Sequence, residues 1–430
     1  MPSKRIVITG LGPICSAGIG HTQVWNNLLA GKTNIKKEKV VVDDELWAEY
    51  FVHKVDGFNI NNFGIDRDAL NYIKEWKEGE EIVDLNYLLA AVKLGIDDSK
   101  LTPKDCEKHT SLVLAHENLN LMPLGIKICQ LAYDMLKSNT DSNISRKEFL
   151  SSIYKKFLKT GYDAQTFMGL FHVAKTFNIH NYSLFINNAC ASGLYALEAA
   201  SQIIRSGQSK AVIVATSDHT DIYKYIWFND IGIYSPDGKT RPFCKDSNGL
   251  VFGDGGASIV LEDAQFAKAR KAKIYAEYMG GGFSLEGWKV TAPQIGSQSY
   301  QNTINQALKN SKVKAKDIDL LVPHGVGSGP IDYYESKAIT DTFGKNPTKP
   351  LITAFKPYVG HNLGGAALLE TIILLLCLDN KTVLPTLNYS NPDPKLNISL
   401  VKKATNKKIS LALKACCAFA GYNAAAIFKT

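Results

Sequence analysis

The sequence predicts an α/β fold built from two similar halves, and three observations carry that expectation. Short apolar runs rich in β-branched residues alternate with longer segments of helical spacing along the 430 residues, as buried strands and crossover helices require. The chain can be laid over itself. GDGGASIVLE at 253–262 matches GYNAAAIFK at 421–429, and ACASGLYALEAASQII at 189–204 matches GHNLGGAALLETIILL at 360–375. Composition agrees, because 45% hydrophobic and 21% charged residues with 33 glycines describe a globular chain with a large core and exclude global disorder, collagen and coiled coil.

The elements follow in order. RIVITGLGPICSAG (5–18) opens with a strand at Ile6–Thr9, and its glycines lack the GxGxxG spacing of a dinucleotide loop, so no redox cofactor is expected. The stretch from about 36 to 175 is the least regular, with the charged run KEWKEGEE (74–81) and the basic amphipathic piece SRKEFLSSIYKKFLKTG (145–161). It reads as a cap and inserted helices around a core, with the lysines on a solvated face. Core strands are expected at Leu112–Leu114, Leu184–Ile186, Ala211–Ala215 and Ala257–Leu261. The Lys-rich FAKARKAK marks the joint near 265–272, which divides the chain into halves at 1–265 and 266–430. The second half supplies strands at Lys273–Tyr278, Ile318–Val322, Leu351–Thr353 and Ala424–Phe428. Its most apolar stretch, Leu363–Leu378, is shorter than the ~20 residues of a spanning helix and carries Glu370 in its middle, so it is expected to be a buried helix of a soluble protein.

Charge and cysteine usage narrow the function classes. Lysine and arginine total 49 against 41 acidic residues, a net charge of +8, but only six of the 49 are arginine, the side chain suited to bidentate reading of phosphate and bases. Nucleic acid is therefore a poor partner, while an acidic protein or an anionic substrate fits. The eight cysteines are scattered, with no CxxC pair and no zinc spacing, which predicts a reducing compartment and no structural metal. MPSKRIVITGLG passes directly into a strand without the apolar core of a secretory signal, and a cytoplasmic protein is expected.

Three residues stand where chemistry is possible. In INNACASG (186–193) a β-branched strand ends and Cys190 falls in the first turn of the helix that Leu194, Leu197, Ile203 and Ile204 describe. The helix dipole and unpaired N–H groups there favour a thiolate, and the small neighbours leave room for a substrate; a buried cysteine packed as a small hydrophobe is the competing reading. Pro323-His324-Gly325 follows the apolar IDLLV, and Gly360-His361 opens the long apolar helix, so both histidines are expected at the same end of the sheet as Cys190. The remaining histidines, at 21, 53, 109, 116, 172, 180 and 219, read as structural. A cysteine with two histidines on matched strand ends suits acyl transfer.

With NACASG, TRPFCKDSNGLVFGDGGASIVLE (240–262), PHGVGSGPIDYYE (323–335), FKPYVGHNLGGAALLE (355–370) and CCAFAGYNAA (416–425) in this order and spacing, the chain resembles the β-ketoacyl-acyl-carrier-protein synthases of the elongating Cys-His-His class. The resemblance covers most of the chain and is weak from about 36 to 175. It implies a thiolase-like fold, two halves in a five-layered αβαβα core, usually in a homodimer. It implies decarboxylative condensation of an acyl group on Cys190 with malonyl-acyl carrier protein, extending the chain by two carbons. His324 and His361 would bind the malonyl thioester carbonyl, and the N–H groups of Cys190 and Phe419 would form an oxyanion hole. Lys356 matches the family lysine and Glu335 its usual carboxylate partner, with Asp332 and Glu370 on supporting carboxylate positions and Phe419 on the gating phenylalanine. No cofactor is implied beyond the phosphopantetheine of acyl carrier protein, the expected partner.

Three departures from the family pattern are visible. Val326 and Ser328 stand where two threonine hydroxyls usually hold the pantetheine arm, Asp254 replaces the acid of the GEG turn, and LAHENLNLMP (114–123) replaces a glycine-rich stretch beside the expected acyl pocket. Together they point to a relative specialised for an unusual acyl chain. Two other readings remain: a non-catalytic subunit resembling chain-length factors, which typically lack the cysteine, and a thiolase, in which Cys416 or Cys417 would be a second catalytic cysteine.

Overall fold

The computed structural model describes residues 4–42, 44–76, 82–116, 121–138, 145–163 and 165–430. The spine is a run of ten strands. In the first half these are β1 (Ile6–Leu11), β2 (Thr110–Ala115), β3 (Ser183–Ile186), β4 (Ala211–Asp218) and β5 (Gly255–Asp263). In the second they are β6 (Ala276–Leu285), β7 (Leu320–Val322), β8 (Leu351–Ile352), β9 (Leu411–Cys417) and β10 (Tyr422–Lys429). The first five lie in the order β3-β2-β4-β5-β1 and the second five in the order β8-β7-β9-β10-β6, which is the same arrangement strand for strand. Directions repeat as well: three parallel strands, then two antiparallel ones. The two sets join where β1 pairs with β6 through Ile6–Tyr278, Val7–Glu277 and Ile8–Ala276. The internal duplication thus stands in the topology itself.

Helices complete five layers. In chain order they are α1 (Val83–Ser99), α2 (Ser192–Arg205), α3 (Ile222–Asp230), α4 (Ser299–Asn310), α5 (Gly329–Phe343) and α6 (Ala366–Asp379). The paired α2 and α6 lie between the sheets, α2 touching β2, β4 and β10 and α6 touching β5 and β9. A helix between two sheets has no wet face, and every residue of α6 but Asp379 is buried. On the outside α1 covers β5, β4 and β1, while α4 covers β6 and β10 and packs on α5. Strand β4, AVIVATSD, is buried at every position, as a strand covered on both faces must be.

The outer layer comes unusually close at Gly12, where an added Cβ would lie 2.1 Å from the Ala91 carbonyl oxygen and 2.8 Å from the Gly95 nitrogen, both backbone atoms of α1. Backbone cannot swing aside as a side chain can, so Gly12→Ala is expected to cost about 2–3 kcal/mol. A lower denaturation temperature with an unchanged circular dichroism spectrum would be the signature, and an unchanged temperature would remove the argument.

Several expectations are corrected. Strand β6 starts at Ala276, later than Lys273, and runs through Gly280–Gly282, because α4 approaches so closely that a Cβ on Gly282 would meet the Thr303 carbonyl oxygen at 2.1 Å. Strand β9 was not among the expected strands; its LALKACC carries a lysine and two cysteines where β-branched residues would have marked it. The cap is not wholly helical. Ile35–Val42 and Glu45–His53 form an antiparallel ribbon, stitched to the core where Val52 pairs with Phe252. Helices occupy Arg67–Trp76, Leu121–Ser138, Arg146–Asp163 and Thr166–Phe177, so the basic amphipathic piece is helical as expected. Of KEWKEGEE, residues 77–81 lie outside the described residues, as do 117–120 of LAHENLNLMP. None of the eight cysteines is in a disulfide, and no helix among the described residues is long and apolar enough to cross a membrane.

Candidate active site

Cys190 is placed by a turn that the backbone does not adopt freely. After β3 the chain passes through Ala189 at φ 49°, a left-handed conformation that costs a residue bearing Cβ on the order of 1–3 kcal/mol. Ser192 fastens the turn by accepting from the Asn188 N–H at 2.8 Å and donating to the Ala189 carbonyl at 2.6 Å. Cys190 lies two residues ahead of the first residue of α2, not within its first turn as expected, and is 5% exposed. It therefore stays at the N-terminal, positive end of the helix dipole. A Cβ on Gly193 would meet the Leu368 nitrogen at 2.6 Å, so the starts of α2 and α6 touch and the loop carrying His361 comes beside the cysteine.

His324 follows β7 after one residue, Pro323. Glu335 of α5 accepts the N–H of His324 at 2.6 Å, the N–H of Gly325 at 2.8 Å and the Tyr300 hydroxyl at 2.7 Å, which holds the turn from below. His361 is tied to the first half, its N–H donating to the Val251 carbonyl at 2.8 Å and its carbonyl accepting from Gly253 at 3.1 Å. The two imidazoles are buried and meet edge to face, with centroids 5.4 Å apart at 80°. Cys190 Sγ and a ring nitrogen of each histidine lie within 4.8 Å of one another, and no other three cysteine, histidine or acidic side chains among the described residues converge in this way.

Below the histidines the ion pairing differs from expectation. Lys356 is fully buried and pairs with Glu370 at 2.6 Å, not with Glu335. Glu335 sits in the middle of α5 under the His324 turn, whose backbone donors claim its oxygens, while Glu370 on the central helix faces the lysine. Lys356 Nζ also donates to the His324 carbonyl at 2.6 Å and lies 3.2 Å from His324 Nδ1. A second buried lysine went unread in the sequence: Lys414 of β9 lies 2.6 Å from the other oxygen of Glu370, an ion pair with angles outside hydrogen-bond range. Its only signal was a lysine within the otherwise apolar LALKACC. Asp332 binds the N–H groups of Phe243 (2.7 Å) and Gly327 (3.2 Å), fastening the RPFC segment to the His324 loop, and burial pushes its carboxyl up to about 8.

Protonation states follow from these contacts. Burial, reinforced by the Lys356 charge, holds both His324 and His361 well below the ordinary 6.5, so both are neutral at neutral pH. Burial works against the charge on Lys356, but Glu370 outweighs it and holds the ammonium above 10.5. An ammonium can only donate, so the close approach of Lys356 assigns the lone pair of His324 to Nδ1 and its proton to Nε2. Cys416 Sγ lies 3.3 Å from the same Nδ1 and 3.5 Å from the Cys190 carbonyl. Burial pushes its thiol up to about 12 and that of Cys417 well above the usual 9.0, so neither is a ready nucleophile of the kind the thiolase reading needs.

Cys190, His324 and His361 open into one narrow cavity, with free space of about 30 Å³, whose walls include Phe228, Val326, Ser328, Ile331 and Phe419. That volume is water-sized and cannot hold an acyl chain. Phe419 closes one wall, stacked on Phe228 with centroids 5.6 Å apart at 26° and edge-on to Trp227 at 5.6 Å. It sits in a tight turn whose next residue, Ala420, has φ 57°.

A doubled α/β core of five layers, with a cysteine at the start of one central helix and two neutral histidines beside the start of the other, defines a thiolase-like protein built for thioester chemistry. Residues 3–267 match the β-ketoacyl synthase N-terminal domain and residues 275–390 its C-terminal domain. The chain belongs to the β-ketoacyl synthase family. Among curated relatives, a 3-oxoacyl-(acyl-carrier-protein) synthase 2 of Coxiella burnetii is 26% identical over 98% of both chains, and one of Rhizobium meliloti 27% identical over 99% of both. Among solved structures, the ishigamide ketosynthase/chain length factor superposes with a TM-score of 0.84 at 25% identity, covering 100% of this chain and 99% of that one. A β-ketoacyl synthase from Burkholderia phymatum superposes at 0.82 with 22% identity over 99% of each chain, a likeness of fold.

Proposed function

We propose that this protein is an elongating ketosynthase, condensing an acyl group held on Cys190 with malonyl-acyl carrier protein. The observation that carries the reading is the convergence of the Cys190 thiol with two neutral imidazoles at the end of one cavity. Cys190 sulfur attacks the acyl thioester carbonyl and the pantetheine thiol leaves with the proton. The N–H groups of Cys190 and Phe419 hold the oxyanion. The malonyl thioester then enters, and Nε2–H of His324 together with His361 donates to its carbonyl oxygen. Loss of carbon dioxide leaves the electron pair as an enolate, which these neutral donors stabilise. The enolate carbon attacks the acyl-Cys190 carbonyl, the C–S bond breaks, and the product is a 3-ketoacyl thioester two carbons longer.

Ser328 and Val326 line the cavity where the pantetheine arm would lie, the serine offering one hydroxyl and the valine only contact. Glu335, Asp332 and Glu370 support the site through the hydrogen bonds and ion pairs described, without touching substrate. The partners in this reading are acyl carrier protein, acidic enough to meet a chain of charge +8, and a second copy of the chain, in the cytoplasm. No cofactor is called for beyond the phosphopantetheine of the carrier, and the two functional halves divide near residue 265. Intact-mass analysis with a panel of acyl carrier proteins, then malonyl carrier protein, is the direct test. An adduct that forms and is discharged as a 3-ketoacyl product supports the reading, and a folded protein that takes up no acyl group from any donor removes it.

Phe419 acts as the gate in this scheme, because the resting cavity is too small for a chain while the ring blocks it. Phe419→Ala is expected to let malonyl thioester reach the histidines out of turn. The ratio of carbon dioxide released to 3-ketoacyl product should rise several-fold. A ratio that stays at the wild-type value would show that the ring is only wall.

A further inference from the structure

We propose that Lys414 is a positioning residue for the decarboxylation step, a second buried cation that grips the His324 turn and balances the charge beneath the two imidazoles so that they work as neutral donors. The inference deepens the ketosynthase reading and rests on it for its kinetic readouts. Lys414 is fully buried, and its Nζ donates to the carbonyl of Pro323 at 2.9 Å and of Ala415 at 2.8 Å while pairing with Glu370. Lys356 holds the next carbonyl of the same turn, that of His324, at 2.6 Å. Both carbonyls of the Pro323-His324 step therefore end on lysines, and the N–H groups of His324 and Gly325 end on Glu335. These four backbone groups around the histidine are all held by buried charged side chains.

The charge count explains why two lysines are needed. His324 is faced by Lys356 at the turn before His361, by Lys414, Cys416 and Cys417 of β9, by Glu335 of α5 with Tyr300 of α4 behind it, by Glu370 of α6, and by Cys190 and His361. Glu335 accepts three hydrogen bonds, as a carboxylate does. Two lysines and two acids, Glu370 and Glu335, meet beneath the turn, with burial raising the Glu335 carboxyl above its ordinary range, and the two neighbouring lysines add to burial in keeping His324 neutral. Without Lys414 one of the positive charges that oppose protonation of His324 is gone, so the imidazole takes up a proton at higher pH. A protonated His324 carries N–H on both ring nitrogens, so Nδ1 can no longer accept from Lys356 and the contact that orients the ring is lost.

The test is the pH profile of malonyl-carrier decarboxylation, beside an NMR titration of 13Cε1-labelled His324 that needs no activity. Lys414→Met removes one positive charge and leaves Glu370 its Lys356 partner. Its acid limb and the His324 titration should both move up by about one to two pH units. Acylation of Cys190 should change less than threefold. Lys414→Gln, which keeps a donor for the Pro323 carbonyl and serves if the methionine variant does not fold, should shift the limb equally, and Lys414→Arg should leave it in place. Lower stability with every rate reduced in parallel and an unmoved limb would mean that Lys414 is only structural, and an unmoved His324 titration would overturn the inference. If the wild type decarboxylates nothing, the ketosynthase reading fails, while the titration still decides the role of Lys414.

Discussion

Replacing Cys190 with alanine is expected to abolish condensation, lowering it by at least about four orders of magnitude. The thiol has no substitute within reach. Cys416 lies against His324 but points its sulfur at the Cys190 carbonyl and at Nδ1, and burial holds both it and Cys417 in the thiol form. The decarboxylation half-reaction belongs to other groups. Carbon dioxide release from malonyl carrier protein should therefore persist in Cys190→Ala while the acyl adduct in the intact-mass spectrum vanishes. An adduct of the same mass in the variant would place the nucleophile elsewhere, with Cys417 in the cavity wall as the first alternative.

His324→Ala and His361→Ala are expected to do the reverse. Each removes one donor to the developing enolate oxygen, which costs roughly a factor of 10² to 10³ in the decarboxylation rate. The double variant should fall short of the product of the two effects, because the donors act on one oxygen. Acylation of Cys190 should survive in each. Condensation lost together with the adduct would instead mean that a histidine activates the thiol, and the roles drawn here would have to be exchanged. The sign of the pH effect is set by the same burial. Both imidazoles are held well below the ordinary 6.5, so decarboxylation should stay flat as pH falls through 6.5 and decline only as the depressed folded-state values are reached. Stability behaves differently. Below about 6.5 the unfolded chain takes up two protons that the folded site refuses, so this contribution is complete above that pH and is lost as pH falls.

The sequence was informative where a residue type and its neighbours could serve only one purpose. Cys190, His324 and His361 each stand among glycines and small residues at the end of an apolar run, a setting that packing alone does not demand. Lys356 could be singled out because a lysine between apolar residues and a glycine turn must be buried and must be paired. Its partner could not be named the same way, since Glu335 and Glu370 both lie on helices near a histidine. Which carboxylate faces the ammonium depends on how α5 and α6 are rotated against the sheet. Lys414 left even less trace, because it interrupts a strand that its own presence disguised. The ribbon at 35–53 left little trace for a related reason: its first strand has no buried residue and only Tyr50, Val52 and His53 of its second are buried, so its alternation carries little hydrophobic signal.

The family, the doubled α/β core and the nucleophile-histidine set were therefore written in one dimension, since motif spacing and apolar periodicity are local properties that survive without coordinates. The pairing of charges was decided only in three dimensions. Buried ions are costly unless matched, and the match is made by whichever groups the packing of α2, α5, α6 and β9 brings within about 3 Å. That selection gave Lys356 to Glu370, Glu335 to the backbone of the His324 turn, and added Lys414, so the protonation state on which the chemistry depends is a property of the assembled core.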